Sequence, residues 1–159
     1  MITYLLPIVT SVVLLIADQL TKAYFVANFN LGESAKFIPG LIDFIYIHNT
    51  GSAWGMFSGK TLFLTVVTVA AIIACIIYLV RLKDKNLIMT WAIMLIVSGG
   101  IGNLIDRVFR GGRVVDFLHF EFWPDFPIFN VADCGVVVGG GLLILAFIID
   151  FVKESKCKK

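Results

Sequence analysis

The stretch TLFLTVVTVAAIIACIIYLV, Thr61 to Val80, decides the fold: twenty consecutive residues without one charge. At the 1.5 Å rise per residue of an α-helix, about 20 apolar residues cross the roughly 30 Å of bilayer hydrocarbon. C-terminal to it, Leu87 to Ile105 is another such stretch, and Val131 to Ile149, broken only by Asp133, is a further one. N-terminal to it, Ile2 to Ala17 is uncharged, and apolar character resumes at Ala23 to Phe29 after Asp18-Gln19-Leu20-Thr21-Lys22. The first run lacks a basic leading region and a small-x-small cleavage pattern, so it reads as a span and not as a cleaved signal peptide. Four spans are expected, near 2–27, 61–80, 87–107 and 131–150, in one membrane-embedded domain over 1–159.

Composition agrees. Of 159 residues, 59% are apolar and 15% charged, and mean hydropathy is +0.95, which favours lipid as the solvent. A net charge of +2 is too small to imply a nucleic-acid partner. The cysteines Cys75, Cys134 and Cys157 have no repeated spacing, giving neither a disulfide framework nor a zinc site. His48 and His119 are too few for a histidine metal centre, and no His-Glu-x-x-His occurs. No metal or organic cofactor is expected.

Residues 28–60 form a long outer loop. Within it Ile42-Asp43-Phe44-Ile45-Tyr46-Ile47, rich in β-branched and aromatic residues and bounded by Pro39-Gly40 and Asn49-Thr50-Gly51, reads as a strand. The expected class is therefore an all-α polytopic membrane protein, four transmembrane helices with a small extracytoplasmic β-sheet lying on the bilayer. The other outer loop, 108–130, carries Gly111-Gly112, Pro124 and Pro127 and reads as irregular and mobile. An even span count puts both termini on one side. That side, through the loop 81–86 and the tail 153–159, holds seven Lys or Arg against six on the other: Lys22, Lys36, Lys60, Arg107, Arg110 and Arg113. Positive-inside counting thus leans toward cytoplasmic termini. Trp54 and Trp123 suit an aromatic belt on the outer side, and Trp91 the inner one.

Polar residues gather at the outer boundary. Gly99, Asn103 and Arg107 are spaced four apart and share a helix face, while Gly99 with Gly102, and Gly135 with Gly139, let neighbouring helices approach closely. An Asp106–Arg107 cluster is compatible with packing or with a site. A charge at the bilayer centre costs about 2.5–3.5 kcal/mol on insertion scales, so Asp18 with Lys22 reads either as a snorkelling pair or as site support. Asp116, in Val114-Val115-Asp116-Phe117, and Asp133, opening the last span, are the two acids that both belong at that boundary. A carboxylate pair there is the minimum equipment for acid–base hydrolysis. The plainer alternatives are a first-turn acid at Asp133, with Asn130 a competing N-cap, and an ordinary loop acid at Asp116.

Five motifs occur in order: Asp18-Gln19-Leu20-Thr21-Lys22, Asn49-Thr50-Gly51-Ser52-Ala53-Trp54-Gly55, Gly99-Gly100-Ile101-Gly102-Asn103-Leu104-Ile105-Asp106-Arg107, Gly112-Arg113-Val114-Val115-Asp116-Phe117, and Phe126-Pro127-Ile128-Phe129-Asn130-Val131-Ala132-Asp133. Together they closely resemble the bacterial lipoprotein signal peptidase (signal peptidase II) family, over nearly the whole chain. The resemblance implies an aspartic endopeptidase of the bacterial cytoplasmic membrane, its site near the extracytoplasmic face. It would act on diacylglyceryl-modified prolipoproteins, cleaving on the amino side of the lipidated cysteine. By the same resemblance Asp116 and Asp133 match the catalytic pair, and Asp18, Asn49, Asn103, Arg107 and Asn130 match supporting or substrate-contacting positions; Lys22 and Gly51 stand in the same motifs. The expected partners are the lipidated precursor and membrane lipids, around a monomer. Two rivals remain at this level: a proton-coupled transporter relaying through Asp18, Asp106 and Asp133, and an adaptor whose polar residues only pack helices.

Overall fold

The computed structural model describes residues 2–81 and 86–157. It contains α1 (Ile2–Asn28), β1 (Ser34–Ile38), β2 (Ile42–Asn49), a short 3-10 turn (Ala53–Gly55), α2 (Thr61–Arg81), α3 (Leu87–Phe109), β3 (Val114–Phe120) and α4 (Val131–Cys157). Leu5–Asn28, Thr61–Arg81, Leu87–Phe109 and Val131–Lys153 are each long and apolar enough to cross a membrane. The four expected spans are thus present, and the chain is a mostly helical polytopic membrane protein.

The polar insertion does not interrupt α1, which runs straight through Asp18–Lys22 to Asn28. Its last turns rise past the start of α4 and into the sheet, where Phe25 stacks on Phe117 at 4.3 Å between centroids and meets Phe44 edge-on at 5.0 Å. Phe25, Tyr46, Val115 and Phe117 form the core between α1 and the sheet. The other core lies between spans, where Met89, Ile93 and Val97 of α3 meet Ala146 of α4.

α3 is central and packs on α1, α2 and α4. Asn86 starts it, its side-chain oxygen accepting from the N–H groups of Ile88 and Met89, which satisfies donors that a helix start leaves unpaired. The glycine faces explain the close approach of its neighbours. A Cβ on Gly139 would lie 2.7 Å from the Ala92 carbonyl oxygen and one on Gly102 2.6 Å from Asp18 Oδ2; only hydrogen fits at either place.

The sheet is antiparallel in the order β1-β2-β3. β2 matches the expected strand and runs two residues further; β1 was not expected, its Ser-Ala-Lys start carrying little strand signal. The loop 108–130 departs from expectation. It contains β3, paired along β2 from Ile42↔Phe120 to Asn49↔Val114, and Leu118 also bridges Phe129. Val114–Phe120 is as strand-prone as β2, and the flanking glycines mark its entry and not a mobile segment: Gly111 and Gly112 have φ of 64° and 82° and turn the chain from α3 back onto the sheet. Lys36 in β1 ties the strands of the sheet together, with Nζ 3.0 Å from Asp43 of β2 and 2.7 Å from Glu121 just after β3.

Candidate functional site

Asp133 is the third residue of α4 and Asn130 its N-cap. The Asn130 Oδ1 accepts the Asp133 N–H at 3.0 Å, and Asp133 Oδ2 accepts the Asn130 N–H at 3.1 Å. This reciprocal capping box answers the competition between the two residues: both cap, and each has polar atoms left over. Asp133 Oδ1 accepts from Asn103 Nδ2 at 2.7 Å, and Asn130 Nδ2 donates to Asp116 Oδ1 at 2.6 Å. One asparagine therefore touches both aspartates.

Asp116 sits in β3, not in a loop, because β3 pairs with β2 and sets Asp116 opposite Ile47. It is 1% exposed. Its Oδ2 accepts from Asn49 Nδ2 at 2.9 Å, and Asn49 Oδ1 in turn accepts the Gly51 N–H at 2.8 Å, which fixes the amide orientation. Gly51 has no room for a side chain, since a Cβ would stand 2.6 Å from the Met56 carbonyl oxygen. Burial, first, and then the neighbouring Asp133 charge push the Asp116 carboxyl up from its ordinary 3.8 to about 7, against the pull of the Asn49 and Asn130 hydrogen bonds.

Below this pair lies a sealed charge cluster. Lys22 is fully buried, with Nζ 3.0 Å from Asp18 Oδ2, 3.2 Å from Asp106 Oδ2 and 3.0 Å from Asn103 Oδ1. The snorkelling alternative is thereby overturned: Lys22 points inward because two buried carboxylates compensate it. Asp18 Oδ1 accepts the Ala132 N–H at 2.8 Å, holding α4's first turn against α1. Asn103 Oδ1 takes Lys22 and Asn130 Nδ2 (3.1 Å), so its Nδ2 must face Asp133. Asp106 and Arg107 do not form a cluster of their own. Asp106 turns to Lys22, to Arg110 Nε at 3.2 Å and to the Val115 N–H at 3.0 Å, whereas Arg107 turns to the other side and donates to the Gly51 carbonyl at 3.2 Å. With Asp18 and Asp106 tied into this neutral core, they are not free relay groups.

Asn49, Gly51, Asn103, Arg107, Asp116 and Asp133 line one cavity of about 660 Å³; Asn130, Asp18 and Lys22 stand behind its wall. Apart from Ser52 the remaining lining is mostly apolar, with Val114, Phe120, Phe126 and Phe129 on the sheet side and Val136, Val137 and Val138 along α4. Val137 is 71% exposed on the helix surface, so the cavity opens sideways toward lipid. Trp54, which lines the cavity, and nearby Phe57 hold φ of 55° and 57°, a left-handed backbone that costs a bulky residue about 1–3 kcal/mol. Sequence reasoning missed Gln19, whose Nε2 donates to Asp18 and to the Gly102 carbonyl; its place in the polar insertion was the available signal. It also missed the apolar walls, whose residues are indistinguishable in sequence from lipid-facing ones. His48 bonds Tyr46 (2.8 Å), and neither it nor His119 lines the cavity.

A family profile described as signal peptidase (SPase) II matches residues 10–149. A protein named lipoprotein signal peptidase from Lactobacillus johnsonii is 40% identical over 149 residues, 93% of this chain and 94% of its own length. One of the same name from Staphylococcus aureus is 38% identical, covering 90% of this chain and 88% of its own length. A solved bacterial membrane enzyme is similar in structure, with a TM-score of 0.86 at 37% identity over 91% of this chain and 88% of that one.

Proposed function

This chain belongs to the signal peptidase II family, and on that premise we propose that Asp116 and Asp133 are its catalytic pair. It is a multi-pass membrane protease of the lipoprotein-processing type, an aspartic endopeptidase that removes signal peptides from prolipoproteins. The observation that carries the residue assignment is the Asn130 side chain bonded to both aspartates at the wall of a cavity that opens to lipid.

Two carboxyls in a partly desolvated site resist double ionisation, and the pair titrates as a unit. Asp116, the deeper of the two, holds the shared proton at neutral pH. Asp133, in the first turn of α4, accepts from Asn103 Nδ2 and from the Asn130 N–H and serves as the base. The Asp133 carboxylate takes a proton as a water oxygen attacks the scissile carbonyl carbon, and Asp116 gives its proton to the carbonyl oxygen. When the tetrahedral species collapses, the carbonyl re-forms, its proton returns to Asp116, and the amine leaves with the proton held by Asp133. Arg107, with no carboxylate partner among the described residues, faces substrate carbonyls, and Asn49, Asn103 and Asn130 hold the two acids in place. Gly51 keeps the strand end close to the cavity, while Asp18 and Lys22 fix Asn103 and α4 from behind. The apolar wall of Val136 to Val138 receives the diacylglyceryl chains, and the cut falls on the amino side of the modified cysteine.

The whole of 1–159 works as one domain and as a monomer, with the cavity extracytoplasmic and both termini cytoplasmic. Ion pairing supports that orientation. Among the six outer cations, Lys22 is buried between Asp18 and Asp106, Arg110 pairs with Asp106 through its Nε, and Lys36 pairs with Asp43 and Glu121, which weakens their weight in charge counting. Of the seven on the other side, Lys83, Lys85, Lys158 and Lys159 lie outside the described residues. The assignment is tested with Asp116→Asn and Asp133→Asn, each incubated in detergent with a lipidated precursor. Cleavage falls by at least about a thousandfold in each, the scale of removing one member of a cooperating catalytic group. Near-normal cleavage by either folded variant rejects the pair.

A further inference from the structure

Three cations stand at the outer ends of α2 and α3, and of these only Arg110 touches the cluster described above, through Asp106. α3 ends in Val108 and Phe109, 59% and 80% exposed, followed directly by Arg110, Gly111, Gly112 and Arg113. α2 begins with Lys60 just ahead of it, and Leu62 and Phe63 follow, 77% and 51% exposed. These two ends meet: a Cβ on Gly112 would lie 3.0 Å from Thr61 Oγ1. Lys60 and Arg113 are exposed and have no carboxylate partner among the described residues, while Arg110 commits only its Nε, to Asp106. Both guanidinium groups also act on His48, whose imidazole is held below its usual value first by burial and then by Arg113 and Arg110. With one carboxylate, Asp106, against three cations, the corner carries a net positive field.

Its height in the membrane follows from the neighbours. Lys60 precedes Leu62 and Phe63 by two and three residues, and Arg110 directly follows Phe109, so both stand a few ångströms beyond side chains that face the hydrocarbon, at the level of lipid phosphates, while Arg113 follows after the Gly111–Gly112 turn. Cations at the end of a span meet phosphate there as their commonest acceptor, and a guanidinium fork suits a phosphodiester. We propose that Lys60, Arg110 and Arg113 form a binding site for the phosphate of an anionic phospholipid, at the α2–α3 corner, separate from the catalytic cavity. The occupant is a lipid and not a free anion because Val108, Phe109, Leu62 and Phe63 flank the cations with acyl-chain contacts. An anionic lipid is favoured over a zwitterionic one because a choline cation would enter the same positive field.

The test is native mass spectrometry of the purified full chain in zwitterionic detergent doped with phosphatidylglycerol or with phosphatidylcholine. The wild type retains phosphatidylglycerol in preference to phosphatidylcholine. At about fivefold per interfacial cation, the double variant Lys60→Ala/Arg113→Ala loses about thirtyfold of that affinity and binds phosphatidylcholine as before. The charge-keeping variant Lys60→Arg/Arg113→Lys retains the preference, which separates lost charge from lost fold. Equal retention of the two lipids by the wild type overturns the proposal, as does undiminished phosphatidylglycerol binding in the alanine variant. Displacement of the lipid by inorganic phosphate at equal concentration also overturns it, by making the ligand a free anion.

Discussion

Replacing Lys22 by Met tests the buried cluster that holds the site. The substitution keeps the length of the side chain and removes one charge with contacts of 3.0 Å to Asp18, 3.2 Å to Asp106 and 3.0 Å to Asn103. Asp106 keeps a cation, Arg110 at 3.2 Å. Asp18 keeps the Ala132 N–H and Gln19 but has no other cation, so it becomes a fully buried, uncompensated carboxylate. Breaking a buried pair in this way costs about 3–5 kcal/mol, or a fall in Tm of roughly 6–20 °C for a chain of this length. Asp18→Asn alone also costs, because it leaves Lys22 sharing Asp106 with Arg110. The double variant Lys22→Met/Asp18→Asn removes both charges while Asn Oδ1 can still accept the Ala132 N–H. Its loss is therefore smaller than the sum of the singles by at least about 1 kcal/mol, a coupling expected of groups in contact. Thermal unfolding of the four proteins in the same detergent reads the cycle. Strict additivity, or a Lys22→Met variant as stable as the wild type, would refute the claim that Lys22 is held by these carboxylates.

The raised Asp116 carboxyl sets a pH dependence. The folded chain holds that proton where the unfolded chain has lost it, so stability declines as pH rises from about 4 to about 7 and then levels off. Asp116→Asn flattens that slope in denaturation followed across pH, and wild-type kcat falls as pH climbs through about 7 because the singly protonated pair is lost. Arg107→Ala, which removes the donor to the Gly51 carbonyl, reduces turnover about tenfold or more with normal membrane insertion; unchanged turnover confines Arg107 to packing. Gly139→Ala drives a methyl against the Ala92 carbonyl and destabilises by about 1–3 kcal/mol. Gly140→Ala, with open space around its Cβ, is neutral or stabilises by up to about 1 kcal/mol. Equal effects of the two on Tm would contradict the α3–α4 contact.

Hydropathy alone marked the four spans, because a stretch such as Thr61–Val80 must hide its backbone polar groups within its own helix whatever its neighbours are. The β2 strand and the Asn130 cap were equally local, resting on side-chain branching and on one oxygen near its own backbone. The motifs also named Asp116, Asp133 and their asparagines as candidates, and their convergence on one cavity is a tertiary fact. The inward turn of Lys22 was not legible: at an apparent span boundary the same residue satisfies water or a buried acid, and only the position of Asp106, 84 positions along the chain, selects between them. The strand around Asp116 was missed although Val114–Phe120 is as β-branched and aromatic as β2, because the glycines and prolines flanking it in 108–130 read as an irregular loop. Sequence fixes what depends on a residue and its near neighbours. Packing decides where a charge ends, because the cost of burying it depends on partners that the fold alone brings within 3 Å or so.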